Sequence, residues 1–225
     1  ALSSAASDVY KRQGDAEAVF TNRAPLTAET FAACPRLRFA GTFGTGYNMI
    51  DLEAARRAGV TVRNVPSYST MAVAQSTISL LLSIACATSE HARYVREGRW
   101  VSPTDPQVAG RRMFELAGRT LGVIGYGEIG RAVAKTAAAL GMEVLACRRR
   151  PASGDGAARM VPLGELLAKS DVVSIHCPLT DETRGMVDAE MISRMKPGAV
   201  LLNTARGAIL NERDVADALD SGRLY

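Results

Sequence analysis

The run Gly125-Tyr126-Gly127-Glu128-Ile129-Gly130 constrains this chain more than any other feature of it. A G-x-G-x-x-G pattern recurs by chance, and alone it decides little. Here it follows the apolar run Leu121–Ile124 and opens a helical pattern over Ile129–Leu140; Gly141 closes that helix before a second strand pattern at Met142–Cys147. Strand, glycine turn and helix in that order give each glycine a task. Gly125 permits the tight turn, Gly127 lets the backbone approach a pyrophosphate, and Gly130 lets the helix pack close on the strand. The diphosphate then meets unpaired N–H groups at the helix N-terminus. A glycine-rich turn without a ligand is the plainer alternative, and the timely arrival of the next strand weighs against it.

The same alternation runs through most of the chain. Strand patterns at Glu17–Thr21, Leu37–Thr42 and Val60–Asn64 enclose helical patterns at Leu26–Ala33 and Asp51–Ala58, and a long apolar helix runs from Ser69 or Thr70 to Ala87. After Cys147 come a helix at Leu163–Lys169, a strand at Asp171–Ile175, a helix at Ala189–Met195, a strand at Ala199–Asn203 and a helix at Glu212–Leu219. Continuous apolar strands such as Ala199-Val200-Leu201-Leu202 suit a sheet covered on both faces. The expected fold class is α/β, with two parallel-sheet domains flanked by helices. Residues 97–117, rich in Gly, Pro and Arg and holding Trp100, read as a connecting arm, so the boundary is expected near Arg93. That gives a substrate-binding domain over residues 14–93 and a dinucleotide-binding domain over residues 94–225. Residues 1–13 have no periodicity, and Asp8-Val9-Tyr10-Lys11-Arg12-Gln13 resembles a translated sequencing adapter, so they are set aside as a non-native tail. Ser221–Tyr225 stops as a strand begins after a helix, so the chain reads as a fragment truncated at its C-terminus.

Composition removes several other classes. With 47% hydrophobic residues and a mean hydropathy of +0.02, a soluble globular protein is expected rather than a disordered one. The net charge of +4 is modest, and no nucleic-acid partner is expected from it. Cys34, Cys86, Cys147 and Cys177 stand far apart without a C-x-x-C, and the chain has 2 histidines. Neither a disulfide framework nor a metal site is expected, and a cytoplasmic location follows. The apolar stretch Met71–Thr88, within the uncharged run between Arg63 and Glu90, carries Gln75, Ser76, Thr77, Ser79 and Ser83, so it reads as a buried helix and no membrane partner is expected.

The end of the second strand refines the cofactor. An Asp or Glu about 20 residues after the first glycine would bind a ribose 2′-hydroxyl. This chain has Arg148 there (148 − 125 = 23), followed by Arg149 and Arg150. Guanidinium groups at that place suit a 2′-phosphate, so NADP is favoured over NAD. The plainer alternative is a solvated basic turn before Pro151.

Further stretches carry a family resemblance. They are Gly44-Thr45-Gly46-Tyr47-Asn48-Met49-Ile50-Asp51, Asn64-Val65-Pro66-Ser67-Tyr68-Ser69-Thr70, Glu115-Leu116-Ala117-Gly118-Arg119-Thr120-Leu121-Gly122 and the glycine motif. Ser170-Asp171-Val172-Val173-Ser174-Ile175-His176-Cys177-Pro178-Leu179-Thr180, Met195-Lys196-Pro197-Gly198 and Asn203-Thr204-Ala205-Arg206-Gly207 complete the set. In this order they resemble the D-isomer-specific 2-hydroxyacid dehydrogenase family, and in detail its glycerate dehydrogenase or hydroxypyruvate reductase branch. The resemblance implies a flavodoxin-like substrate domain, incomplete here, beside a Rossmann dinucleotide-binding domain, with the active site in the cleft between them. It also implies a homodimer formed through the cofactor domain.

The resemblance assigns roles residue by residue. Thr45 and Gly46 fall on the loop whose backbone N–H groups hold the substrate carboxylate. Thr77 sits where the family's long helix touches the cofactor phosphates, and Glu128 and Ile129 lie over the pyrophosphate. Cys177, Pro178 and Thr183 match the loop flanking the adenosine, although Cys177 could equally be a small buried hydrophobe. Thr204 and Ala205 line the nicotinamide side. Arg206 is the catalytic arginine, binding the 2-keto acid and polarising its carbonyl; its planar fork matches a carboxylate and an adjacent oxygen as lysine would not.

One part of the family's pattern is missing. Its acid is a histidine paired with a glutamate, and the resemblance puts both beyond Tyr225; His176 matches a family position that is not the acid. The expected activity is hydride transfer from NADPH to a small 2-keto acid such as hydroxypyruvate or glyoxylate, negligible in the fragment itself. The alternatives are a phosphoglycerate or other D-2-hydroxyacid dehydrogenase, or a dinucleotide-sensing, corepressor-like binding protein on the same scaffold.

Overall fold

Three short parallel strands, β1 (Ala18–Thr21), β2 (Phe39–Thr42) and β3 (Thr61–Arg63), form a sheet in that order. The computed structural model describes residues 14–99, 113–149 and 156–225. The tail at 1–13, the arm with Trp100, and Arg150 and Pro151 lie outside the described residues. Helices α1 (Ala28–Ala33) and α2 (Leu52–Arg57) cover one face of this sheet, where Phe31, Ala54 and Ala55 pack with Val19 and Ala40. Asp51 starts α2 by accepting the Ala54 N–H at 2.9 Å, which satisfies a donor that the helix cannot.

A second sheet has the order β6-β5-β4-β7-β8, all parallel. Its strands are β4 (Thr120–Ile124), β5 (Glu143–Cys147), β6 (Arg159–Met160), β7 (Val172–Ile175) and β8 (Val200–Asn203). The chain begins in the centre at β4, winds outward through β5 to β6, then returns to β4's other side with β7. Winding therefore reverses between β4 and β7, and a crevice opens at their carboxyl ends. Helix α3 (Thr70–Ala85) and helix α5 (Glu128–Ala139) cover one face, with Ile78, Leu81, Val133 and Ala134 packed against Leu121 and Val123. Helix α4 (Thr88–Arg96) follows α3. On the other face, α6 (Leu163–Lys169) and α7 (Ala189–Ser193) bring Leu166, Leu167 and Ile192 onto Ile175 and Leu145. Helix α8 (Glu212–Asp220) closes the order, and after it Leu224 bridges Ala199 in parallel, beside β8.

The strand and helix patterns of the sequence all reappear, with three differences. The chain divides into compact units Ala1–Ser69 and Thr70–Tyr225, whereas the boundary was expected near Arg93. The reason is that α3 buries Ala74, Ile78 and Leu81 in the core built on β4 and α5. The long helix also ends earlier than expected: Ala87 takes a left-handed conformation (φ 47°), and α4 leaves at 64° to α3. Third, the two-residue strand β6 was not foreseen. No single helix among the described residues is long and apolar enough to cross a membrane.

Candidate cofactor and substrate sites

The crevice predicted by the strand order is occupied by a cavity of about 570 Å³. Its floor is the β4–α5 turn, Gly125 to Gly127, and its walls come from the ends of β5 and β7 and from Val161-Pro162-Leu163 before α6. The volume suits a ligand of nucleotide size.

The glycines of the floor differ in what requires them. Gly125 has φ +97°, and a Cβ there would stand 2.4 Å from the Cys177 nitrogen. A Cβ on Gly130 would stand 2.4 Å from the Gly125 carbonyl oxygen. Protein packing alone explains both. Gly127 has an ordinary φ of −91°, and a Cβ on it would meet nothing within 4 Å. Its glycine is needed by nothing in the chain itself, and the open space beside it borders the first turn of α5. No side chain caps that helix, so the N–H groups of its first turn face the opening. Glu128 is turned aside, its Oε2 accepting the Thr70 hydroxyl at 3.3 Å, and Ile129 packs against the core. These features fit a bound pyrophosphate.

Past the ends of β5 and β7, Cys147, His176 and Cys177 line the cavity. Burial pushes the Cys147 thiol up to about 11 and raises Cys177 as well, so both are thiols at neutral pH and neither is a nucleophile. Burial lowers His176 to about 4, leaving a neutral imidazole whose Nε2 lies 2.9 Å from the Ser174 hydroxyl. Pro178 and Thr183 line the wall, and the Thr183 hydroxyl donates to the Pro178 carbonyl at 2.7 Å. Thr183 therefore shapes the loop. Arg148 and Arg149 stand at the mouth, and Arg149 Nη1 is 3.0 Å from Glu182 Oε2. Glu182 and the Val161–Leu163 wall were not singled out in the sequence; their one signal was position, just past the ends of strands β7 and β6.

Beyond β8, Asn203 clasps the next residues: its Oδ1 accepts the Ala205 N–H at 3.0 Å and its Nδ2 donates to the Arg206 carbonyl at 2.9 Å. Arg206 is exposed, with Nη1 donating to the Ala205 carbonyl at 2.8 Å, while Thr204 and Ala205 are half-buried. The Thr204 hydroxyl meets that of Thr77 at 2.9 Å. Thr77 has no exposed surface and donates to the Val73 carbonyl. It supports Thr204 rather than offering the direct cofactor contact expected from the sequence.

In the other unit, Thr45 is held by the strand end that follows β3. The Asn64 amide donates to the Thr45 carbonyl at 2.8 Å, and the Thr45 hydroxyl donates to the Val65 carbonyl at 3.2 Å. Among the described residues, no acceptor is bound to the N–H of Thr45 or Gly46. Two adjacent unpaired backbone donors are able to bind an anion.

The profile of the D-isomer specific 2-hydroxyacid dehydrogenase NAD binding domain matches residues 78–225. A hydroxypyruvate reductase of Blautia hydrogenotrophica is 44% identical over 219 residues, which are 96% of this chain and 68% of that protein. A glycerate dehydrogenase of Methylorubrum extorquens is 35% identical, with the same coverage of 96% and 68%. Among solved structures, an NAD-dependent formate dehydrogenase from Staphylococcus aureus in complex with NAD superposes with a TM-score of 0.88 at 31% identity, over 96% of this chain and 65% of that one.

Proposed function

We infer the function of this chain from its membership: it belongs to the D-isomer specific 2-hydroxyacid dehydrogenase family, a family of oxidoreductases, and carries that family's NAD-binding domain. The reaction proposed is reduction of a small 2-keto acid, hydroxypyruvate or glyoxylate, to the D-2-hydroxy acid. The bound nicotinamide supplies the hydride; the protein supplies position and charge. The observation that carries this is the cavity at the carboxyl ends of β4 and β7, floored by the glycine turn that opens the uncapped N-terminus of α5.

Arg206 binds the substrate carboxylate and carbonyl oxygen and polarises the C=O, held in place by the Asn203 clasp. The unpaired Thr45 and Gly46 N–H groups suit a carboxylate within their own unit, and Thr204 and Ala205 border the nicotinamide. No residue of this chain is assigned the proton that completes the alcohol; His176 is neutral and lines the cofactor cavity. The substrate choice is supported by the hydroxypyruvate reductase and glycerate dehydrogenase names of the relatives.

NADP is proposed ahead of NAD. Arg148 lines the cavity and makes no ion pair among the described residues, so its guanidinium is available to a 2′-phosphate. A homodimer is proposed from exposed Leu80, Leu82 and Val95 on α3 and α4, and a cytoplasmic location from cysteines that are all free. The deciding measurement is titration of this chain with NADPH and NADH, followed by hydroxypyruvate on the loaded protein. About ten- to a hundredfold tighter NADPH binding is expected from one charge-assisted contact, together with saturable binding of the keto acid. Equal affinities would remove Arg148 from its role, and keto-acid binding without cofactor dependence would remove the reaction.

A further inference from the structure

We propose that Glu182 sets how strongly this protein discriminates NADP from NAD, by holding Arg149 across the mouth of the adenosine cavity; this rests on the cofactor reading above. The two residues come from opposite walls, Arg149 just past β5 and Glu182 in the loop after β7, 33 positions apart. Their side chains meet at 3.0 Å while remaining 70% and 69% exposed. An ion pair that exposed contributes little stability and is easily broken. What it does at this position is electrostatic. The strand end where an acid would read a ribose 2′-hydroxyl carries arginines instead, and the carboxylate arrives from across the cavity.

The consequence differs for the two dinucleotides. A ribose with free hydroxyls adds no charge, so the Arg149–Glu182 pair persists and Glu182 can accept a hydrogen bond from a hydroxyl. A 2′-phosphate brings an anion beside Glu182, which repels it and competes with it for the Arg149 fork. Arg148 attracts the phosphate and Glu182 opposes it. The discrimination is a balance between them.

Glu182→Gln removes the charge and keeps the size and hydrogen-bonding capacity at an exposed position. NADPH and NADH affinities of the intact chain, its Glu182→Gln variant and its Arg148→Ala variant are compared by calorimetry in low and moderate salt. The expected result is NADPH binding about two- to fivefold tighter in Glu182→Gln, with NADH unchanged within error, and a smaller gain at the higher salt. Unchanged NADPH binding in Glu182→Gln, or an equal shift for both dinucleotides, overturns the proposal. The Arg148→Ala variant reports separately on the underlying cofactor assignment. If it weakens NADPH while Glu182→Gln is silent, Glu182 alone loses its role. If Arg148→Ala changes nothing and the parent binds both dinucleotides alike, the NADP assignment itself fails.

Discussion

Thr77 and Thr204, 127 positions apart, share a hydrogen bond of 2.9 Å between their hydroxyl groups. Thr77 has a single hydroxyl proton, which it gives to the Val73 carbonyl. Thr204 is therefore the donor in the pair, and its lone pairs are left to face away from α3. A buried helix residue thereby orients a side chain just past the end of β8.

Thr77→Val keeps the shape and removes that acceptor. Loss of one such hydrogen bond costs about 1 kcal/mol of stability, and the freed Thr204 rotor weakens NADPH binding. Urea unfolding and a cofactor titration check both effects. Full cofactor affinity in a folded Thr77→Val variant removes the link between Thr204's orientation and the cofactor.

The glycines give a paired test. Gly127→Ala places a methyl where the protein has nothing within 4 Å, so the thermal midpoint stays near that of the parent. Cofactor affinity falls about tenfold or more, because the backbone can no longer approach the pyrophosphate. Gly122→Ala does the reverse. Its Cβ would fall 2.3 Å from the Ser170 hydroxyl and 2.5 Å from a Leu166 methyl, an overpacking that costs about 1–3 kcal/mol. Thermal melts and titrations of the two variants separate the roles.

His176 makes stability depend on pH. Its native pKa of about 4 lies below the ordinary 6.5. Above 6.5 it is neutral in both states and contributes nothing. As the pH falls toward 4 the unfolded chain takes up a proton that the native chain refuses, and stability is lost. Between pH 7 and pH 5 the loss is on the order of 2 kcal/mol. Urea midpoints of the parent and a His176→Asn variant at those two pH values check it; the variant should lose less by about that amount.

Arg206→Lys preserves charge and loses the fork. Binding of oxamate, a 2-keto acid analogue, to the cofactor-loaded chain should weaken about tenfold or more, with NADPH affinity within about twofold of the parent, since Arg206 is expected to address the acid. Calorimetry in the ternary complex reads both. An unaltered oxamate affinity takes Arg206 off the substrate.

Turnover should be slow in this chain. With no acid assigned, hydride transfer forfeits about 10²–10⁴ in rate. The comparison is hydroxypyruvate-dependent NADPH oxidation by this chain and by a fusion carrying the part of the Blautia hydroxypyruvate reductase that this chain does not span. Rapid oxidation by the unfused chain would show that a proton donor within it had been overlooked.

Much of this architecture follows from local pattern. Short apolar runs and period-3.6 stretches place β1 to β5 and their helices within a residue or two, because strands covered on both faces and one-sided helices space their apolar residues differently. The features not foreseen are those in which local pattern is silent. Strand β6 has 2 residues and so no period. Ala87 breaks a helix in a conformation more usual for glycine, and nothing in its neighbours marks it. The apolar face of α3 is plain in the sequence, but which sheet it covers is decided by packing, and so the boundary fell at Ser69 rather than Arg93. At the cofactor cavity, residues of the glycine turn could be named from spacing. Glu182 could not, since it matters through an arginine 33 positions away.

The Asn203 clasp separates the backbone of the Thr204–Arg206 loop from its side chains. Both hydrogen bonds run from the Asn203 amide to main-chain atoms, the Ala205 N–H and the Arg206 carbonyl. The exposed side chain at 206 can then be exchanged while the track that carries it stays put, whereas Thr204 is tied to Thr77 and Ala205 packs against the core. Variants at 206 would sample recognition rather than misfolding, provided that Asn203 is kept.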